Sequence, residues 1–288
     1  MREFTVTAAD GLELSAAAFE PEDPRGVVQI IHALREHKER YYDLAAFLEG
    51  QGYIAVIADL RGHGQSVNAK YFLGHFESAN ELLADQVCIS EYIKETYPGL
   101  DISILADSQG SVIARLYLKD HDSDVCKLIM TGAFASSPAS YVTKGICSLA
   151  CSMHHSNTVK GLVASYINSA DENKLYANFT AATEYKQDLL IQSCKFTNGA
   201  ALAMAEASVM MMKIPVHICG NPSLRILLAR GENDGAVTPA VVKKTEKYMK
   251  RDGYKFFFEI AYPGDRHSIL SDMNKDEFYK DIAMFLSD

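Results

Sequence analysis

Residues 102–111 read ISILADSQGS, and this segment is the clearest indication of how the chain folds. A short apolar run that is rich in β-branched residues stops at Ser108, and an apolar pattern with helical spacing follows at once over residues 112–117. Continuous apolar runs of this length are typical of buried strands. The segment therefore predicts a β-strand, a sharp turn and an α-helix, in that order.

The neighbours of Ser108 fit a nucleophile elbow, a turn so tight that the positions two before and two after the nucleophile must be small. Those positions hold Ala106 and Gly110, so alanine replaces one of the two usual glycines. If Asp107 were the nucleophile, the small residue would have to be Gln109, which is not small. Ser108 is therefore the candidate nucleophile. The alternative is a loop serine that caps an ordinary helix.

Composition restricts the class of partner. The chain has 288 residues, 48% of them hydrophobic, and a formal net charge of −9. Nucleic acids and anionic membranes favour clustered Lys and Arg, so the acidic balance argues against both as main partners. A neutral or weakly charged small molecule fits better.

Cysteine usage and hydropathy bear on the compartment. The six cysteines are scattered and form no C-x-x-C pair, which is typical of reduced intracellular thiols. There is no basic and then apolar leader, and no uncharged apolar run reaches ~18 residues. We therefore expect a cytoplasmic protein with no stable membrane insertion.

Predicted strands and helices alternate along most of the chain. Residues 4–8 and 12–19 flank Asp10-Gly11, a pair that favours a tight hairpin turn. Further strands are predicted from apolar runs at 27–31, 53–59, 102–107, 127–131, 224–229 and 254–260. Helical patterns separate these runs, which predicts a mostly parallel sheet with helices on both faces.

The character of the sequence changes between residues 135 and 214. Strand patterns disappear there, and helical stretches rich in Ala, Ser, Asn, Met and Tyr replace them. We therefore expect an α/β core formed by residues 1–134 and 215–288. A helical lid formed by residues 135–214 would be inserted after the sixth strand.

Two residues downstream of the predicted lid could activate Ser108. A serine hydroxyl needs a base to take its proton and an acid to orient that base. Asp234 and His267 each follow a predicted strand, and they come in the chain order Ser, Asp, His that accompanies a nucleophile elbow. Glu232 is a second candidate for the acid. Singly, Asp234 could be a turn carboxylate and His267 a solvated loop histidine.

An ester-cleaving site also needs two preorganised N–H donors for the oxyanion. The backbone of Gln109 can supply one, because it stands at the start of the predicted helix. The other donor is expected from the loop at residues 32–37, which follows the first parallel strand. His32, Glu36 and His37 lie in that loop, but their spacing departs from the H-x-x-E-H pattern, so we expect no metal site there.

In these and other motifs, the chain resembles the α/β-hydrolase superfamily. Within the superfamily it resembles the monoacylglycerol lipase and lysophospholipase group, which is similar to the serine aminopeptidases of the S33 type. The resemblance covers nearly the whole predicted core. The matching motifs are His32, Glu36-His37, Arg40-Tyr41, residues 59–66 (DLRGHGQS), 106–110 (ADSQG), 231–234 (GEND) and 264–267 (GDRH).

The resemblance implies a role for individual residues. Ser108 matches the nucleophile, Asp234 the acid and His267 the base, and the backbone of Leu34 and Gln109 matches the oxyanion hole. Four positions depart from the usual pattern. Glycines are usual where this chain has Ala33, Arg35 and Ala106, and histidine is common where it has Asp107. These departures concern the oxyanion loop and the acyl site more than the triad.

The resulting hypothesis is a serine hydrolase that cleaves a carboxylic ester through an acyl-enzyme and needs no cofactor. A lid with many Met, Leu and Tyr side chains favours a lipid-like small-molecule ester such as a monoacylglycerol or lysophospholipid, and Met204 and Met211 are candidate acyl contacts. Two alternatives remain open. One is a catalytically silent relative that binds a ligand or protein, and the other is an amide or peptide hydrolase with the same triad.

Overall fold

The chain is organised around one eight-stranded sheet. The structure is a computed structural model that describes residues 1–169, 172–213 and 219–288. The strands are β1 (Arg2–Thr7), β2 (Glu13–Phe19), β3 (Gly26–Ile31), β4 (Tyr53–Ala58), β5 (Ile102–Asp107), β6 (Lys127–Thr131), β7 (Arg225–Gly231) and β8 (Phe256–Tyr262). Their order across the sheet is β1-β2-β4-β3-β5-β6-β7-β8. Strands β1 and β2 are antiparallel additions, and the remaining pairs are parallel, as predicted.

Ten α-helices accompany the sheet in the described part of the chain. They are α1 (Tyr42–Gly50), α2 (Ala79–Thr96), α3 (Gln109–His121), α4 (Ala139–His154), α5 (Leu162–Ile167), α6 (Phe179–Gln187), α7 (Leu189–Ser193), α8 (Asn198–Met212), α9 (Pro239–Asp252) and α10 (Lys275–Ser287). None of these helices combines the length and the apolar composition that a membrane crossing requires.

Helices cover both faces of the sheet, which confirms the predicted architecture. Strand β5 is buried at every position, and successive side chains of a strand point to opposite faces. Ile104 packs in the cluster that includes α3 and α9, whereas Leu105 packs in the cluster that includes α1 and α10. This two-sided burial explains why the central strands are continuous apolar runs.

Helix α2 begins at Ala79, directly after Ser78. Ser78 accepts a hydrogen bond from the Glu81 amide at 3.2 Å, and the Glu81 carboxylate accepts one from the Ser78 amide at 3.1 Å. This reciprocal capping box satisfies two amides that the first turn leaves free.

Helices α4 to α8 lie between β6 and β7 and are called the cap helices below. The predicted lid covers residues 135–214, and its role as a lid remains a prediction; its proposed end at residues 214–215 lies outside the described residues. Helix α8 joins the cap helices to the core. Its Ala200 and Ala203 are fully buried in the main core cluster, and Ala207 packs with Val112 of α3. Small side chains allow this close approach between helices.

Asp59, which directly follows β4, anchors the loop that follows β3. Its carboxylate accepts hydrogen bonds from the amides of Lys38 at 2.6 Å and Gln65 at 2.9 Å. Arg61 is also buried, and it pairs with Asp85 at 2.5 Å. The motif at residues 59–66 is therefore a buried structural network beneath the loops at the carboxyl edge of the sheet.

Candidate active site

Ser108 lies in the sharp turn between β5 and α3, and its backbone has φ 51° and ψ −109°. Positive φ is unfavourable for a residue with a side chain, so the turn is strained. A Cβ at Gly110 would lie 2.2 Å from the carbonyl oxygen of Ile31, which explains why this position must be glycine. Ala106 is fully buried, so its single methyl group is accommodated. The predicted strand, turn and helix are all present.

His267 joins Ser108 to Asp234. The Ser108 Oγ lies 2.9 Å from Nε2 of His267, and Nδ1 of the same ring lies 2.8 Å from Oδ2 of Asp234. Because a carboxylate only accepts, Nδ1 carries the proton that it donates to Asp234. Nε2 is then free to accept the proton of the Ser108 hydroxyl. The three residues proposed from the sequence thus meet in one hydrogen-bonded row.

Asp234, and not Glu232, is the carboxylate in contact with His267. Asp234 is buried, whereas Glu232 is exposed. The second carboxylate oxygen of Asp234 accepts hydrogen bonds from the amides of Ala236 at 2.7 Å and Val237 at 3.0 Å. Burial alone would raise the pKa of Asp234, but the His267 hydrogen bond and these amides lower it below its ordinary value. Asp234 is held as an anion that fixes the ring.

The surroundings of His267 favour its protonated form. Burial acts in the opposite direction, but the hydrogen bond and charge of Asp234, and then the charge of Asp107, outweigh it and raise the pKa of His267. The ring of Phe134 lies 5.5 Å from the imidazole, centroid to centroid. His267 is therefore a stronger base than an exposed histidine, in a position that could take the Ser108 proton.

The loop of residues 32–37, called the oxyanion loop below, passes directly beside the elbow. The Ala33 amide donates a hydrogen bond of 2.9 Å to the hydroxyl of Tyr41. Gln109 is the first residue of α3, and its amide is one of those that a helix leaves without an intrahelical acceptor. The structure therefore brings the two segments that carry the Leu34 and Gln109 amides together. Their role as oxyanion donors remains a prediction.

Arg35 shows how this chain accommodates a position where glycine is usual. Its φ is 71°, so it adopts the left-handed backbone that glycine would take without strain. Its guanidinium donates to the carbonyl oxygen of Ile167 at 3.2 Å and lies over the ring of Phe196 at 5.4 Å. The side chain thus links the oxyanion loop to the cap helices.

Asp107 is buried behind the nucleophile. Its Oδ2 accepts a hydrogen bond of 2.8 Å from the Tyr41 hydroxyl, and its Oδ1 accepts one of 2.5 Å from the Thr131 hydroxyl. Burial raises the pKa of Asp107 above its ordinary value against the effect of these two hydrogen bonds. The sequence motif drew attention to Asp107 but not to Thr131, which ends β6. Aligning the ends of the two predicted strands would have placed Thr131 beside Asp107, as observed.

The two methionines proposed as acyl contacts lie in different places. Met204 is partly buried and packs against the main core cluster, as Leu34 and Phe134 also do. Met211 is buried against Ala79 and Leu116, which belong to α2 and α3. Met211 therefore fills the interface between helices, and only Met204 remains a candidate acyl contact.

The histidines and the glutamate of the oxyanion loop have protein partners. His32 Nε2 accepts from the amide of Leu60 at 2.8 Å, and His37 Nε2 lies 2.8 Å from Asp188. Glu36 pairs with Arg40. Over the residues that the structure describes, no group of three or more His, Cys, Asp or Glu side chains is arranged to hold a metal ion.

A cleft of about 440 Å³ opens between the cap helices and the core, but it is not at the triad. Its lining is mostly charged and polar and includes Arg40, Asp188, Asp272 and Lys275. Ser108 and His267 do not belong to this lining, and each is about 8% exposed. Little of Ser108 and His267 is therefore accessible to solvent.

Known proteins similar to this chain include members of a hydrolase family. The family model described as serine aminopeptidase, S33, matches residues 22–274. A monoglyceride lipase homolog of Monkeypox virus is 25% identical over 191 residues, which cover 66% of this chain and 66% of that protein. A monoacylglycerol lipase of Mycolicibacterium smegmatis is 21% identical over 266 residues, which cover 92% of this chain and 89% of that protein.

A similar architecture also occurs among solved structures. A highly thermostable carboxyl esterase from Bacillus coagulans superposes with a TM-score of 0.84 at 19% sequence identity. The superposition covers 99% of this chain and 97% of the esterase. At that identity, the likeness concerns the fold.

Proposed function

Because this chain belongs to the serine aminopeptidase S33 family of α/β-hydrolases, we propose that it is a serine hydrolase that cleaves carboxylic esters through an acyl-enzyme. The observation that carries the proposal is the row of hydrogen bonds from Ser108 to His267 and from His267 to Asp234. Relatives named as a monoglyceride lipase homolog and a monoacylglycerol lipase support an ester as substrate.

In the first half-reaction, the Ser108 Oγ attacks the ester carbonyl carbon while its proton passes to Nε2 of His267. Asp234 holds the ring and stabilises the imidazolium that forms. The amides of Leu34 and Gln109 donate to the oxyanion of the tetrahedral intermediate. When this intermediate collapses, the C–O bond to the alcohol breaks, and His267 gives its proton to the leaving oxygen.

In the second half-reaction, water replaces the alcohol. His267 takes a proton from this water, whose oxygen attacks the acyl carbon. Collapse of the second tetrahedral intermediate breaks the bond to the Ser108 Oγ, which recovers its proton from His267. The products are the free acid, the alcohol and the original enzyme.

Exposed apolar side chains on the cap helices support a lipid-like ester. On α4, Val142, Ile146, Leu149 and Met153 are spaced four, three and four residues apart, so they share one face, and all are exposed. Leu162, which begins α5, is also exposed. An apolar face of this kind fits a substrate carried in a lipid aggregate, such as a monoacylglycerol or lysophospholipid.

The test is a substrate panel with the Ser108→Ala variant as the blank. It contains p-nitrophenyl esters from acetyl to palmitoyl, a monoacylglycerol, a lysophospholipid and an aminoacyl p-nitroanilide. The proposal expects turnover of esters, no turnover above the blank with the anilide, and a preference for the longer acyl chains. Turnover of the anilide alone would instead support an aminopeptidase.

The four sequence departures at Ala33, Arg35, Ala106 and Asp107 motivate the alternative of a silent relative that only binds a ligand. Turnover of a short p-nitrophenyl ester that is lost in His267→Ala would exclude that alternative. No turnover with any ester, in a protein whose thermal unfolding is cooperative, would support it.

A further inference from the structure

Resting on the proposed function, we propose that Tyr41 and Asp107 are positioning residues that hold the oxyanion loop against the nucleophile elbow. The hydroxyl of Tyr41 stands between the two segments. It accepts a hydrogen bond from the Ala33 amide at 2.9 Å, and it lies 2.8 Å from Oδ2 of Asp107. A phenol has one proton, and a carboxylate can only accept. The order of donation is therefore fixed from Ala33 to Tyr41 to Asp107.

Asp107 suits this role better than an amide would. It directly precedes Ser108, so hydrogen bonds that fix the Asp107 side chain also fix the backbone of the elbow. Its two carboxylate oxygens accept from two different elements, Tyr41 on one side and Thr131 at the end of β6 on the other. An asparagine has one accepting oxygen and an NH₂ group that only donates, so its two terminal atoms could not both accept a hydroxyl proton as the two oxygens of Asp107 do.

The oxyanion loop needs such a tether. Leu34, the proposed donor, lies between Ala33, whose amide is held by Tyr41, and Arg35, whose backbone is strained at φ 71°. Strained residues persist only where their surroundings fix them. A donor amide stabilises an oxyanion only if it is already oriented when charge develops. The hydrogen bond from Ala33 to Tyr41 provides this orientation one residue before Leu34.

Packing keeps the Tyr41 ring in place without its hydroxyl. The ring is 4% exposed and belongs to the core cluster that includes Leu44 and Leu270. The Tyr41→Phe change therefore removes the hydrogen bonds from Ala33 to Tyr41 and from Tyr41 to Asp107, which are called the relay below, and it leaves the packing of the ring unchanged. Tyr42→Phe is a matched control, because the Tyr42 hydroxyl bonds to Glu3 at the exposed surface.

The first measurement is steady-state kinetics on an ester that the wild type hydrolyses. For Tyr41→Phe we expect kcat to fall about tenfold, because an oxyanion interaction acts in the transition state. We expect KM to stay within about twofold. The serine hydroxyl adds to a trifluoromethyl ketone to form a hemiketal oxyanion. The affinity for this inhibitor should fall by the same factor as kcat/KM. An unchanged kcat, or a loss confined to KM, would overturn the proposal.

A double-mutant cycle separates a relay from two independent residues. If Tyr41 acts through Asp107, Tyr41→Phe should cost less in the Asp107→Asn background than in the wild type. If the loss in kcat/KM of the double variant equals the product of the two single losses, the two residues act independently. If Asp107→Asn does not fold, Thr131→Val replaces it, because it removes the other donor to the same carboxylate.

Hydrogen exchange tests the relay without any turnover. The Ala33 amide should exchange about tenfold faster or more in Tyr41→Phe, since it loses its acceptor. It should be unchanged in Tyr42→Phe. Equal exchange in all three proteins would overturn the relay even if the enzyme is active. If the wild type hydrolyses no ester, the proposed function fails, and the exchange result still decides whether the tether exists.

Discussion

Gly132 lies against the imidazole of His267, and a Cβ on Gly132 would be 2.9 Å from Cε1 of that ring. The same Cβ would be 3.3 Å from the Cα of Ser108, and Gly132 has a φ of 56°. A side chain at this position therefore displaces the ring or the elbow. We predict that Gly132→Ala lowers kcat by about tenfold to a hundredfold, because small misplacements of reacting groups are costly.

Gly145→Ala is the control for this prediction. Gly145 lies on α4 with open space around the position of a Cβ, and it is exposed. Alanine there should leave kcat unchanged and stabilise the helix by up to about 1 kcal/mol. Kinetics and thermal unfolding on both variants make the comparison. Equal activity of the two variants would contradict the proposed contact between Gly132 and His267.

Arg35 combines a strained backbone with favourable side-chain contacts, and two substitutions separate these effects. Arg35→Ala and Arg35→Gly both lose the hydrogen bond to Ile167. Only glycine also relieves the strain at φ 71°. We predict that the free energy of unfolding is about 1 kcal/mol higher for Arg35→Gly than for Arg35→Ala. This difference already includes the larger conformational entropy that glycine gives the unfolded chain. Urea denaturation measures this difference, and equal stability would argue against strain at Arg35.

The charge of Asp107 should appear in the pH dependence of the reaction. His267 must be neutral to accept the Ser108 proton, so kcat/KM rises with pH through the pKa of His267. The negative charge of Asp107 contributes to raising that pKa. Asp107→Asn removes the charge, so the acidic limb of the profile should move to lower pH. An unmoved limb, or a shift to higher pH, would contradict electrostatic coupling between the two residues.

The two acidic residues after β7 make opposite predictions. Asp234 contacts Nδ1 of His267, whereas the Glu232 side chain is exposed. Asp234→Asn presents an amide that can stabilise the wrong tautomer of the ring, and kcat should fall by about 10³ to 10⁴. Glu232→Gln should keep kcat within about twofold. A large loss in Glu232→Gln with activity retained in Asp234→Asn would reverse the assignment.

Much of this site could be anticipated because strand ends in a parallel sheet converge on one edge. Ser108, Asp234 and His267 each follow a recognisable apolar run, so their proximity followed from the topology. Thr131 was missed because its contact with Asp107 depends on the register between β5 and β6. An apolar run predicts a strand but not its register, and only the added assumption that the two neighbouring strands end level would have placed Thr131 beside Asp107.

Other features needed the three-dimensional structure. Helix α8 is apolar on most sides, so periodicity could not distinguish Met204 from Met211, which packs on α2 and α3. Arg35 stood out in the sequence only as a missing glycine, and its positive φ and its contact with Ile167 depend on tertiary packing. The hydrogen bonds of Tyr41 likewise join its own segment to Asp107, which lies 66 residues further along the chain.

The assignment of Ser108 as the nucleophile is tested most directly by covalent labelling with a fluorophosphonate, followed by intact-mass and peptide analysis. The wild type should gain one adduct on the peptide that contains Ser108. Ser108→Ala should gain none, although its thermal unfolding matches that of the wild type. An adduct that persists in Ser108→Ala, or one located on another residue of the wild type, would contradict the proposed mechanism.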